Sequence, residues 1–222
     1  MTRIPERVAG TLRFAVMAGL AAALLVGCAE TRPSTFYTLS SIPETAPNEA
    51  LEDLQDLAVG VGPITLPQYL SRPQIVQRAS MHRLELSEFD RWAEPLQDLF
   101  ARVLSENLAA LLNTQRIYQV PRRRATPIDY QVEVDVLRYD ADADSNILLK
   151  ARWALFGDDG RDLIEDRITT VAVPLQEAGN YEALVAAMST AVADLSRTIA
   201  TEIASKVNDA PLNAPRRKPA TS

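Results

Sequence analysis

The sequence predicts an α+β fold: a single domain in which a mostly antiparallel sheet is covered by two long amphipathic helices. Three features carry that reading. Two segments, opening near Pro95 and Asn180, repeat apolar residues at three- and four-residue intervals. Other segments alternate apolar with polar residues, and those between the helices follow one another across short polar turns. Alternation leaves each strand one wet face, which suits an antiparallel sheet better than a parallel one covered on both sides.

Each element follows in order. "FYTLS", from Phe36 to Ser40, combines aromatic and β-branched residues suited to a strand, and "SIPETAPNEALED" is a loop containing proline and acids. "LAVGVGPITLP" is a core strand interrupted by Gly60 and Gly62, where glycine permits a bulge or a close backbone approach. It lacks the following helix and spacing of a dinucleotide fingerprint. "PQYLSRPQIVQR" gives a turn and then a short strand at Ile75–Val76. In "HRLELSEF", Leu84 and Leu86 alternate with Arg83 and Glu85, a strand with one wet face.

The first helix begins close to Pro95, whose fixed φ suits a first turn. Its stripe runs through Leu96, Leu99, Phe100, Val103, Leu104, Leu108, Leu111 and Leu112, with Gln97, Asp98, Arg102, Ser105 and Glu106 mainly on the other face. Then "DYQVEVDVLRY" and "NILLKARWALF", joined by the polar turn "DADADSN", make a hairpin, and "RDLIEDRITTVAVPL" adds a strand after "GDDG". Asn180 is a suitable N-cap for the last helix. That helix buries Leu184, Met188, Ala191, Val192, Leu195, Ile199 and Ile203, and neighbouring alanines allow close approach to the first helix.

The N-terminus reads as a secretory leader. Arg3, Arg7 and Arg13 face a single Glu6, and "FAVMAGLAAALLV" follows without a charge for 13 residues. A membrane-spanning helix needs about 20 apolar residues, more than this run supplies. "LLVGC" then ends at Cys28, the only cysteine in the chain. Leu25 three places before it and Gly27 directly before it resemble a bacterial lipobox, in which the sulfur receives diacylglycerol and the leader is removed. One cysteine forms no intramolecular disulfide and is a poor metal site. Catalysis would need a base within reach, and no motif ties the sole histidine, His82, to it. A plain signal peptide or an uncleaved anchor is the other reading. Several acyl chains at about 0.8 kcal/mol per buried methylene give durable anchoring. The expected organisation is a signal peptide at 1–27, an acylated tether at 28–35, the domain at 36–208 and a flexible tail at 209–222. Ala29, after the cysteine, resembles the case directed to the outer membrane rather than the one retained at the inner membrane by aspartate.

Charge narrows the partners. The full chain has 23 basic and 29 acidic residues; the leader holds 3 and 1 of these, so the mature part carries 20 and 28, near −8. Such a body has no general attraction for nucleic acid or anionic headgroups. Arg122, Arg123 and Arg124 are too few for a nucleic-acid footprint. Asp140, Asp142 and Asp144 sit in an acidic segment that lacks the glycine and glutamate of an EF-hand, so a polar turn is preferred to loose calcium binding. No serine elbow, Walker loop or zinc-helix motif appears. The expectation is a chain with no catalytic residues, metal or cofactor. Tyr69, Arg72 and Arg78 in one segment, with Phe89, Arg91 and Trp92 in another, have the composition of protein-interface anchors, although packing of loops onto the sheet explains them equally well.

These same segments resemble the ABC-type transport auxiliary lipoprotein family. The resemblance rests on the lipobox, "FYTLS", "VGVGPITLPQYLSRPQIVQR", "RWAEPLQDLFARVLSENLAALL", "VEVDV", "ARWALF" and "YEALVAAMSTAVADLSRTIA", in that order over nearly the whole mature chain. It implies a non-enzymatic component of a Gram-negative intermembrane transport system for phospholipids or other hydrophobic molecules. The implied partners are an MCE-domain protein, with a permease and its ATPase beyond, and the outer membrane through the acyl chains on its periplasmic face. The family also permits a homo-oligomer. The alternatives are a structural envelope lipoprotein without transport partners, a periplasmic hydrolase, or a lipid carrier, the last requiring an enclosed apolar cavity.

Overall fold

A computed structural model describes residues 32–43, 54–121, 127–142, 146–177 and 179–209. The expected leader, Cys28 and nearly all of the expected tail lie outside the described residues, as do Arg122–Arg124 and Asp144. The strands are β1 (Thr35–Tyr37), β2 (Val59–Thr65), β3 (Gln74–Ser80), β4 (Arg83–Trp92), β5 (Ile117–Gln119), β6 (Tyr130–Ala141), β7 (Asn146–Gly157) and β8 (Asp162–Pro174). The helices are α1 (Leu96–Leu111) and α2 (Tyr181–Asp209), and Gln68–Leu70 forms a single 3-10 turn.

All eight strands join one sheet with β6 as its hub. Along one edge of β6, β7 runs antiparallel from Tyr130 opposite Gly157 to Ala141 opposite Ile147, and β8 continues antiparallel beyond it. The other edge is shared. The first half of β6 pairs in parallel with β2, which carries β5 in parallel on its outer side. The far end of β6 meets β3 in parallel at one register pair, Gln77 opposite Ala141. Outside β3 lie β4, antiparallel to it, and β1, parallel to β4.

The α+β class and the two covering helices are as expected, but the sheet is mixed rather than mostly antiparallel. Alternation reports which side of a strand is wet and carries no information about direction. The chain leaves β2, builds β3 and β4, and passes through α1 before returning as β5 and β6; a long crossover of that kind brings a strand back parallel.

Both helices lie on one face of the sheet. Val132, Val134 and Val136 of β6 and Ile147, Leu149, Ala151, Trp153 and Leu155 of β7 are buried together with the stripes of α1 and α2. By composition and length α2 passes as a membrane span, yet 67% of its most apolar 18-residue stretch is buried within the domain. Asn180 caps it as expected, its Oδ1 accepting the N–H groups of Glu182 at 2.9 Å and Ala183 at 3.1 Å.

One residue changes the phase of β6. Val136 lies opposite Ala151 while Arg138 lies opposite Lys150, so Leu137 is an extra residue, a bulge. Beyond it Tyr139 and Ala141 take the inward positions, and Tyr139 donates its hydroxyl to the Met188 carbonyl at 2.9 Å. Asp140 is thereby turned to the side away from the helices.

The chain after β1 is strapped across both helices. The Ser40 N–H donates to Ser189 Oγ at 3.1 Å, and the Ile42 N–H donates to Asn107 Oδ1 at 2.8 Å. Asn107 is fully buried and donates onward to Ser196 Oγ at 3.1 Å, joining α1 to α2. Leu39, between the two strap bonds and Tyr37, is 1% exposed. In β2, Gly62 (φ 122°) lets the strand pass so close to Val120 that a Cβ there would stand 2.4 Å from the Val120 carbonyl oxygen.

Candidate partner interface

The six residues expected to form an interface all belong to the wing made by the 3-10 turn, β3 and β4, and the structure divides them into three pairs. The first pair, Arg72 and Trp92, lines a groove of about 430 Å³ between the 3-10 turn and the start of α1, together with Leu66, Leu70, Pro73 and Leu96. Backbone bonds hold its walls: the Trp92 N–H donates to the Pro73 carbonyl at 2.7 Å, and the Ala93 N–H to the Tyr37 carbonyl at 2.9 Å. Trp92 is 4% exposed, so it ends β4 as a core residue that floors the groove, while Arg72 is exposed.

Tyr69 and Arg78 meet around Asp140, the second site on this wing. The Asp140 side chain is fully buried; its Oδ2 accepts from the Tyr69 hydroxyl at 2.7 Å and from Arg78 Nη2 at 3.2 Å, and its Oδ1 accepts from Arg138 Nε at 2.8 Å. The Arg78 guanidinium also stands 5.9 Å from the centre of the Tyr69 ring. Burial first, and then the hydrogen bond to Asp140, push the Tyr69 hydroxyl up to about 12. The hydrogen bond that Arg78 itself donates to Asp140 holds its guanidinium more firmly protonated than usual. Two cations surround one carboxylate, and Arg78 Nε and Arg138 Nη2 are buried without a hydrogen-bond partner among the described residues.

The third pair, Phe89 and Arg91, is half-buried on β4, with Arg91 Nε donating to the Glu88 carbonyl at 3.3 Å. Arg138 and Asp140 were not among the residues expected here. Their signal in the sequence is an arginine and an acid two apart at the end of an alternating strand, masked by the run of aspartates that makes Asp140 resemble part of the acidic turn. It belongs to β6 and is committed to two guanidiniums, while Asp142 Oδ1 accepts the Asn146 N–H at 2.8 Å to close the turn. Among the described residues no group of three or more His, Cys, Asp and Glu side chains is placed to hold a metal ion.

The comparisons with other proteins agree with the fold. A solved protein from Xanthomonas campestris is 18% identical and superposes with a TM-score of 0.62, covering 79% of this chain and 99% of its own. A second solved protein is 20% identical, also with a TM-score of 0.62, covering 78% of this chain and 99% of its own. At these identities the likeness is one of fold. A search of curated proteins finds no match. The family described as the ABC-type transport auxiliary lipoprotein component matches residues 37–200, from the last residue of β1 into the final third of α2. The match spans the sheet, both helices, the groove and the Asp140 cluster, and the chain therefore belongs to that family.

Proposed function

We propose that this chain is a non-enzymatic, lipid-anchored scaffold of an MCE/ABC-type intermembrane lipid transport system, held at the periplasmic face of the outer membrane through Cys28. Family membership over residues 37–200 is the observation that carries the reading. The lipobox-like Leu25–Cys28 and Ala29 after it support the anchor and its membrane. In this scheme ATP is hydrolysed by the system's ATPase. The lipoprotein fixes one end of the conduit, and its anchor raises the local concentration of the partner-binding face.

The groove beside Arg72 and Trp92 is the surface offered to the MCE-domain partner. It combines an apolar floor with a charged rim, the composition of an interface core and its border. The test is affinity purification after mild crosslinking in envelope membranes, using the intact protein and Cys28→Ala. Recovery of an MCE-domain protein with the intact chain, and release of Cys28→Ala from the membrane with its circular dichroism unchanged, are the expected results. Outer-membrane retention without any MCE-domain partner would instead identify a structural envelope lipoprotein. An Arg72→Glu variant should reduce recovery of the partner about tenfold, equivalent to 1.4 kcal/mol, without altering membrane retention.

A further inference from the structure

Among the described residues four large apolar side chains are well exposed, and three of them share the β1–β4–β3 wing. They are Phe36 of β1 at 63%, Leu86 of β4 at 46%, and Met81 of the turn joining β3 to β4 at 81%. Phe36 and Leu86 lie on the same side of the sheet. Tyr37 faces α2, its ring 6.2 Å from that of Tyr181, so the preceding Phe36 points the other way. Leu84 lies opposite Arg78, which reaches Asp140 on the side away from the helices, and Leu86, two residues on, shares the face of Leu84.

Strand direction says where the tether comes from. Because β1 runs parallel to β4, with Thr35 opposite Asp90 and Tyr37 opposite Trp92, the backbone enters β1 from the end of β4 that carries Leu86 and the Met81 turn. Six residues separate Cys28 from Thr35. Seven Cα steps reach at most about 25 Å, so a chain held at Cys28 keeps Thr35, where the backbone enters this wing, within that distance of its bilayer.

We propose that this wing is a lipid-docking surface, with Phe36, Leu86 and Met81 inserting into the interfacial layer of the membrane that holds Cys28. The inference rests on the reading that Cys28 is acylated. The surrounding charge is mixed, with Arg83 paired to Glu85 at 3.1 Å and Arg91 beside Glu88 and Asp90. Attraction therefore comes from burial of apolar surface rather than from headgroup charge, and it is insensitive to salt. Three side chains bind a bilayer weakly by themselves; the short tether supplies the local concentration that makes the contact persist. Docking fixes which side of the domain faces lipid and which is presented to the periplasm.

The test uses intact acylated protein in vesicles of phosphatidylethanolamine and phosphatidylglycerol. Acylation consumes the only native thiol, so Met81→Cys and, as a control on the exposed side of α2, Thr201→Cys each accept one environment-sensitive fluorophore. The label at 81 should shift to the blue and be quenched by nitroxide lipids at least about twofold more than that at 201, as expected for insertion by 5–10 Å. Adding about 0.5 M salt should leave the difference in place, and Phe36→Asp with Leu86→Asp should abolish it. Protein that floats with the vesicles but shows equal quenching at both sites overturns docking while leaving the anchor intact. Protein that fails to float shows that the anchor reading has failed, and docking falls with it. Shielding of the label at 81 that rises with protein concentration in the absence of vesicles marks a second copy as the occupant and overturns the proposal.

Discussion

The two wings that flank β6 are held by different physics. On one side β7 and β8 form long antiparallel ladders closed by short turns, and Trp153 sits between them and the helices with its indole N–H donating to Thr169 Oγ1 at 3.0 Å. On the other side β3 touches β6 at a single register pair, and side chains do the joining: Tyr69, Arg78 and Arg138 converge on Asp140. A ladder spreads its stability over many backbone bonds, each modest in net worth. The clamp concentrates it in one carboxylate, so the β3–β4 wing depends on one residue in a way that β7–β8 does not.

The comparison is most directly broken at Asp140. Asp140→Ala should lower stability by about 3 kcal/mol, the lower end of the range for stranding buried charge, because the Arg78 and Arg138 side chains remain 24% and 25% exposed and can reach water. Urea unfolding measures the loss, and hydrogen exchange should show it as faster opening of β3 and β4 with β7 and β8 still protected. Uniform loss of protection over both wings would remove the distinction between them. Asn107→Ala should cost about 1–3 kcal/mol by leaving the Ile42 N–H without its acceptor. Here exchange should quicken first at the Ser40 and Ile42 amides.

Alkaline pH should act on the clamp with a smaller effect. Tyr69 titrates near 12 in the folded protein against 10 for a free tyrosine. Its neutral form is the one the fold prefers, so its contribution is complete below pH 10 and is lost as pH rises from 10 through 12. Tyr69→Phe should flatten stability against pH over that window, and an unchanged slope would show that the hydroxyl is not coupled to folding. The smallest effect belongs to the ladder wing. Arg167→Ala removes a half-exposed ion pair with Glu202 and the stacking of the guanidinium on the Trp153 ring, 5.5 Å away, and it should lower stability by about 1 kcal/mol, read from the unfolding midpoint.

Much of this contrast was legible in the residues and part of it was not. The stripes from Leu96 to Leu112 and from Leu184 to Ile203 specify the helices because a repeat of three and four has one helical solution. The valines of β6 specify its buried face up to Val136. The phase slip at Leu137 left no mark, since a bulge adds a residue without changing composition. Asp140 consequently looked like the start of a turn, although β6 continues to Ala141. Strand direction was hidden for a related reason: β2 and β6 are brought together by everything between them, and no local pattern encodes a crossover. Trp92 resembles an exposed loop anchor because its neighbours are remote in sequence: Pro73 accepts its N–H, Tyr37 of β1 pairs beside it, and Leu70 shares its groove.

The strap leading out of β1 governs how the domain would respond to tension. Tyr37 donates to Asp90 at 3.0 Å, Ser40 and Ile42 are fastened to one helix each, and the parallel contact with β4 is loaded in shear when the N-terminus is drawn away. Bonds in shear must fail together, whereas bonds in a peeling geometry fail one at a time. Tension applied at the N-terminus would thus be shared between strand and helices, which a single flexible linker could not do.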